Sequence, residues 1–156
     1  MTHWNVLLSQ LSEAPAATAS PISGFLGLLE AHCPAVSSVW MIGERAGSAA
    51  PHQPGPLVWD LLVFADAATL QRLRVATHLH RRDVRMRVVT DGDAYAVAWG
   101  DLPGYGSLFQ WEWLQASDAE AFYSEAHWRE PVQARVVTRT RRKALCLWRK
   151  RQRDSR

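Results

Sequence analysis

The sequence predicts one α/β domain: a small mixed β-sheet with helices packed on it, followed by a Trp-rich helical C-terminal part. Three observations carry this expectation. Short apolar runs at 36–42, 57–64 and 84–90 read as strands. Segments with helical spacing of apolar residues stand between and before them. A length of 156 residues suits one domain with a real core.

The elements follow in order. Trp4, Leu7, Leu8 and Leu11 lie on one face of a short helix. Residues 14–20, rich in Ala and Pro, form a linker. Ser20-Pro21 is a favourable helix start, because Ser caps and Pro tolerates the first helical position. Ile22, Phe25, Leu26 and Leu29 make that helix's stripe, and Pro34 ends it. Residues 43–48 form a tight turn after the first strand, and 52–56 a Pro/Gly loop. The second strand is apolar throughout except at Asp60, which needs a partner, a metal or an exposed strand end. Residues 66–77 read as a helix capped by Asp66. In the third strand Arg85 and Arg87 form a polar face. Asp91-Gly92 signals a hairpin into a fourth strand over 94–99. Residues 108–115 and 118–128 read as helices, the second started by a capping box of Ser117 and Glu120. Residues 133–140 read as a strand.

The eight Trp read as core and domain edges. Two cysteines, Cys33 and Cys146, make neither a disulfide framework nor a metal spacing. The first residues lack a signal peptide's basic start and apolar run, and no stretch is apolar enough to span a bilayer. A cytoplasmic location is the resulting expectation. The net charge of +3 conceals an asymmetry. Residues 1–138 carry nine Lys/Arg against fourteen Asp/Glu, near −5; residues 139–156 carry nine against one, near +8. The expected organisation is therefore one domain over 1–138 and a basic tail over 139–156. Such a tail can bind polyanions, solubilise the chain, or fold back on its acidic body.

The order of strand, Gly-containing turn, loop, strand with Asp, helix and strand resembles the nucleotidyltransferase superfamily of the polymerase-β type. Trp40-Met41-Ile42-Gly43-Glu44-Arg45-Ala46 resembles the family's turn, with Glu44 where Ser is expected. Asp60-Leu61-Leu62-Val63-Phe64 resembles the second Asp of its Asp-x-Asp pair and the strand that follows. That register puts Val58 in place of the first Asp. A second register uses Gly47-Ser48 as the turn, makes Asp60 the first Asp and puts Leu62 second. The first register is preferred because both of its segments agree. The family's third acidic position falls on 84–89, where Arg85 and Arg87 stand, with Asp83 just before.

The resemblance implies a nucleotide- or anion-binding cleft built from Gly43, Arg45, Gly47, Ser48, Arg85 and Arg87. Asp60 and Glu44 would be the catalytic residues, and Asp60 the Mg²⁺ ligand, were the chain active. Two-metal phosphoryl chemistry needs converging carboxylates, and here the set is degenerate. The expected function is a catalytically degenerate domain that binds a nucleotide, another anion or a partner protein. The alternatives are an active Mg²⁺-dependent nucleotidyltransferase and a nucleic-acid-binding module acting through the basic tail. His78 and His80 read as a surface pair and Asp91-Gly92-Asp93 as a turn, rather than as metal sites.

Overall fold

The computed structural model describes residues 22–102, 104–129 and 136–151, without the side chains of 125–129 and 136–138. The helix expected over Trp4–Leu11, the linker over 14–20 and the Ser20-Pro21 helix start lie outside them. In chain order the elements are α1 Ser23–His32, β1 Ser38–Ile42, the single turn α2 Gly43–Ala46, β2 Trp59–Phe64, α3 Ala67–Val75, a 3-10 turn Thr77–Leu79, β3 Val84–Val89, β4 Ala94–Trp99, β5 Tyr105–Ser107, β6 Leu114–Gln115, β7 Glu120–Arg129 and β8 Val136–Arg149.

The strands form one sheet in the order β5-β4-β3-β2-β1-β8-β7-β6. Only β2 and β3 run parallel, and α3 crosses between them. The other neighbours are antiparallel. One face carries Val39 and Met41 of β1, Leu61 and Val63 of β2, and Met86 and Val88 of β3, and packs on Phe25 and Leu29 of α1 and Leu70 and Leu73 of α3. Asp66 caps α3, its Oδ1 accepting from the Thr69 N–H at 2.8 Å.

The other face curls around a second core of Trp40, Ile42, Leu62, Val89, Tyr95, Leu108, Ala121, Tyr123 and Ala144. Two lengths require the curl. A flat sheet of eight strands would set its edges about 34 Å apart, while the seven residue steps from Ser107 to Leu114 reach at most about 25 Å. Trp111, in that connection, also contacts Tyr95 of β4 at 4.9 Å and Tyr123 of β7 at 5.3 Å between ring centroids. Four strands separate β4 from β7 in the sheet order. The result is a half-barrel filled by aromatic rings.

This architecture overturns the expected fold class. The C-terminal part is not helical. Residues expected as a helix over 118–128 form β7, and those over 108–115 form a turn and the short β6. The Ser117 hydroxyl does accept from the N–H groups of Ala119 and Glu120, but in a turn entering a strand. The same local bonds suit both uses, and pairing with β8 decides between them. Residues 105–107, between the fourth strand and the first of these expected helices, form β5. The strand expected over 133–140 is the start of a fourteen-residue strand, with 133–135 outside the described residues. The boundary expected at 138/139 falls inside β8. Its apolar run Ala144–Trp148 lies between β1 and β7, so the basic segment as far as Arg149 is a central strand. Its cations meet the acidic body: Lys143 lies 3.3 Å from Glu120 and Arg139 3.8 Å from Glu112. No helix among the described residues is long and apolar enough to cross a membrane.

A chain ending at Thr138 therefore loses the strand that joins β1 to β7, and it should lose cooperative folding rather than a dispensable tail. Circular dichroism with thermal melting checks this; a truncated chain that still melts cooperatively near the full-length temperature would contradict the topology.

Candidate functional site

A cleft of about 440 Å³ opens where β1 ends and where β2 and β3 begin. Its walls are Gly43 and Glu44 after β1, Pro56, Leu57 and Val58 before β2, Asp60 of β2, Arg85 of β3 and Arg142 of β8. An adjoining hollow of about 410 Å³ shares Val58 and Arg85 and continues past Arg82, Trp99 and Asp101.

Strand alternation brings the polar groups together. Asp60 and Arg85 are partners in the parallel β2–β3 pair, and Arg87 lies one step further on the same face. The Asp60 carboxylate accepts from Arg87 Nη1 at 3.1 Å, with both side chains almost buried, at 13 % and 12 % exposure. The Arg87 guanidinium also lies 5.2 Å from the centroid of the Trp111 ring and 5.6 Å from that of Tyr95. Asp60 thus pairs with a cation inside the curl while also lining the cleft. Arg85 makes no side-chain hydrogen bond or ion pair among the described residues, and it is half-buried on the cleft wall.

Two glycines let the backbone come this close. Gly43 has φ +78°, and a Cβ there would stand 3.0 Å from Asp60 Oδ2. Its N–H donates to the Tyr123 hydroxyl at 2.8 Å, which ties the turn after β1 to β7. Gly100 has φ +111°, and a Cβ there would lie 3.1 Å from the Cα, Cβ and Cγ of Arg85. Gly100, Tyr123 and Arg142 belong to this region and were not readable as site residues. Gly100 follows a strand as many glycines do, and the other two come from the part of the chain read as helix and tail.

The remaining expected residues are placed differently from the resemblance. Arg45 is 3 % exposed and stacks over the Trp59 ring at 3.8 Å. It donates to backbone carbonyls of the 51–57 loop instead of facing the cleft as an anion ligand. Burial pushes its pKa down, with the charge of Asp83 opposing. The Ser48 hydroxyl donates to the Arg45 carbonyl at 2.8 Å, and neither Gly47 nor Ser48 lines the cleft. Glu44 lines the cleft but is exposed. Val58 lines it beside Asp60, whereas Leu62 is fully buried in the aromatic core. Asp83 sits in a two-point bond to Arg81, at 2.9 and 2.6 Å, which holds its carboxyl below the usual range. It is therefore engaged away from Asp60.

Among the described residues no three His, Cys, Asp or Glu side chains converge as a metal site. His78 meets His32 edge-on at 5.3 Å, while His80 stacks on Trp99 at 4.2 Å and its ring Nε2 lies 2.8 Å from the Leu73 carbonyl oxygen. Asp91 Oδ1 accepts from the N–H groups of Asp93 and Ala94, so this segment is a turn.

Removing one member of a nearly buried ion pair leaves the other charge without compensation. Asp60→Asn should lower the unfolding free energy by about 3 kcal/mol. The double change Asp60→Leu with Arg87→Leu should recover most of that loss. Urea denaturation of the four proteins in the cycle reads the coupling; additive losses would show that the pair is not the stabilising unit.

Neither family models, curated protein sequences nor solved structures give a match to this chain.

Proposed function

We propose that the cleft beside Asp60 binds an anionic ligand, a phosphate- or carboxylate-bearing small molecule such as a nucleotide, without a metal ion and without catalysing nucleotidyl transfer. The observation that carries this reading is the Asp60–Arg87 pair at 3.1 Å. It occupies the one carboxylate that the resemblance reserves for metal, and it leaves Arg85 on the wall. A guanidinium holds phosphate or carboxylate through paired hydrogen bonds. Mg²⁺ instead needs several hard oxygen ligands, and a single carboxylate already engaged with arginine supplies them poorly. The nearest carboxylate on the wall, Glu44, is exposed and screened by water.

A distant relation to the nucleotidyltransferase superfamily is part of the proposal. What supports it is the chain order over 38–89: strand, Gly43 turn, Asp60 strand, α3 and a third strand parallel to the second. The strands β5 to β8 lie outside that resemblance.

Isothermal titration with inorganic pyrophosphate and with nucleoside triphosphates, each with and without Mg²⁺, tests the reading. Binding should occur in the absence of Mg²⁺, weaken as salt rises, and fall about tenfold in Arg85→Ala, a loss of roughly 1.4 kcal/mol. Binding that requires Mg²⁺, or label transfer from a nucleoside triphosphate that disappears in Asp60→Asn, would overturn it.

A further inference from the structure

The segment between α2 and β2 has an unusual organiser. Residues 48–58 contain Pro51, Pro54, Pro56 and Gly55 and no regular element, and 53–56 are exposed. Backbone hydrogen bonds within them are few, Gln53 N–H to the Ala50 carbonyl being one. The Arg45 guanidinium does the rest. Its Nη1 donates to the carbonyls of Pro51 and Gln53 and its Nη2 to those of Gly55 and Leu57, all within 3.4 Å. Alternate carbonyls thus turn inward onto one planar cation, whose other face rests on Trp59. Two of the cleft's walls adjoin this clamp in sequence. Gly43 and Glu44 precede Arg45, and Pro56, Leu57 and Val58 include its last carbonyl partner.

We infer that Arg45 is a positioning residue for the anion cleft: by gathering the carbonyls of Pro51, Gln53, Gly55 and Leu57 it fixes the Pro56–Val58 wall opposite Arg85, and ligand binding and loop order are thereby coupled. The inference rests on the anion-binding reading above. The fork geometry is essential to it. A guanidinium offers five donors in one plane, whereas a lysine ammonium is a point charge that cannot reach four carbonyls spread over seven residues. Arg45→Lys keeps the charge and loses the clamp, and Arg45→Gln loses both.

The test measures pyrophosphate affinity by titration and subtilisin cleavage within 48–58, at a temperature where each variant is fully folded. Both Arg45 variants should bind pyrophosphate at least fivefold more weakly than wild type and be nicked faster in 48–58. Arg45→Lys should not rescue either property. In wild type, saturating pyrophosphate should slow that nicking, an effect that needs no substitution and stands if an Arg45 variant fails to fold. Rescue of affinity by Arg45→Lys would mean that Arg45 acts through its charge alone and would overturn the inference. So would wild-type nicking that is unchanged when pyrophosphate is bound. Binding weakened in Arg85→Ala but unaltered in both Arg45 variants would overturn this inference and leave the cleft reading standing. Wild-type protein that does not bind pyrophosphate would overturn both.

Discussion

The contact of Trp111 with Tyr95 on one side and Tyr123 on the other is the constraint on which the architecture turns. It bridges strands from opposite halves of an eight-stranded sheet through a single ring, so the sheet has to curl. A curled sheet has a narrow interior, and side chains from every strand must fill it at near-crystalline density. Trp40, Leu62, Leu108 and Trp113 do so. The polar groups trapped there need partners, and most find them, though Arg87 Nε makes no hydrogen bond among the described residues. Arg87 lies beside the Trp111 and Tyr95 rings and takes Asp60 as its counter-ion, and Tyr123 accepts the Gly43 N–H. The cleft is the open end of this curl, and its chemistry follows from which charges the interior has already consumed.

Residues 22–99 were legible because their signals are local. β1 and β2 are short apolar runs interrupted only by Ser38 and Asp60, Asp66 stands in the cap position before α3, and Asp91-Gly92 marks the hairpin between β3 and β4. Each of these is decided within about ten residues. The second half is decided by partners far away in the chain. The segment Glu120–Arg129 carries Ala, Glu and Trp at spacings that fit a helix turn as well as a strand, and a Ser-x-x-Glu start that fits both. What makes it a strand is ten residues of pairing with β8. In β8 the charge of Arg139, Arg141, Arg142 and Lys143 hid an alternating strand and the apolar run that follows it. Read as a tail, the segment could bind polyanions, solubilise the chain or fold back on its acidic body. In the structure Arg139 and Lys143 approach carboxylates, and Arg141 donates to the Glu112 carbonyl and the Ser124 hydroxyl.

The candidate site shows the same division between local and distant signals. Asp60 stood out as the one charge in an apolar strand, and Arg85 and Arg87 as an alternating pair, and all three do lie on one face. Which arginine meets the carboxylate was not readable. The strand register makes Arg85 the direct partner of Asp60, yet the ion pair forms with Arg87, which lies beside the Tyr95 and Trp111 rings. Tyr95 stands on the neighbouring strand β4, whereas Trp111 belongs to a connection that the curl brings near. Arg45 is the clearest case of a motif resembling one chemistry and serving another. A Gly-x-Arg turn resembles a phosphate cradle, but here the arginine points into the protein and is met by carbonyl dipoles.

That choice of partner has an electrostatic consequence. A carboxylate beside Arg45 would cancel its charge, while carbonyl oxygens solvate the cation and leave its net charge in place. Burial of the cation is costly, and the fall in the Arg45 pKa has that desolvation as its chief cause, with the charge of Asp83 opposing it. The positive charge therefore persists close behind the cleft, where low dielectric screens it little. In front, Arg85 lines the wall, and Arg87 pairs with Asp60. The exposed Glu44 is left to oppose them from the solvent side, where screening is strongest. Such a distribution is what the proposal of an anion-binding cleft draws on. It follows from three separate placements of arginine, of which only the β3 pair was visible as a pattern in the sequence.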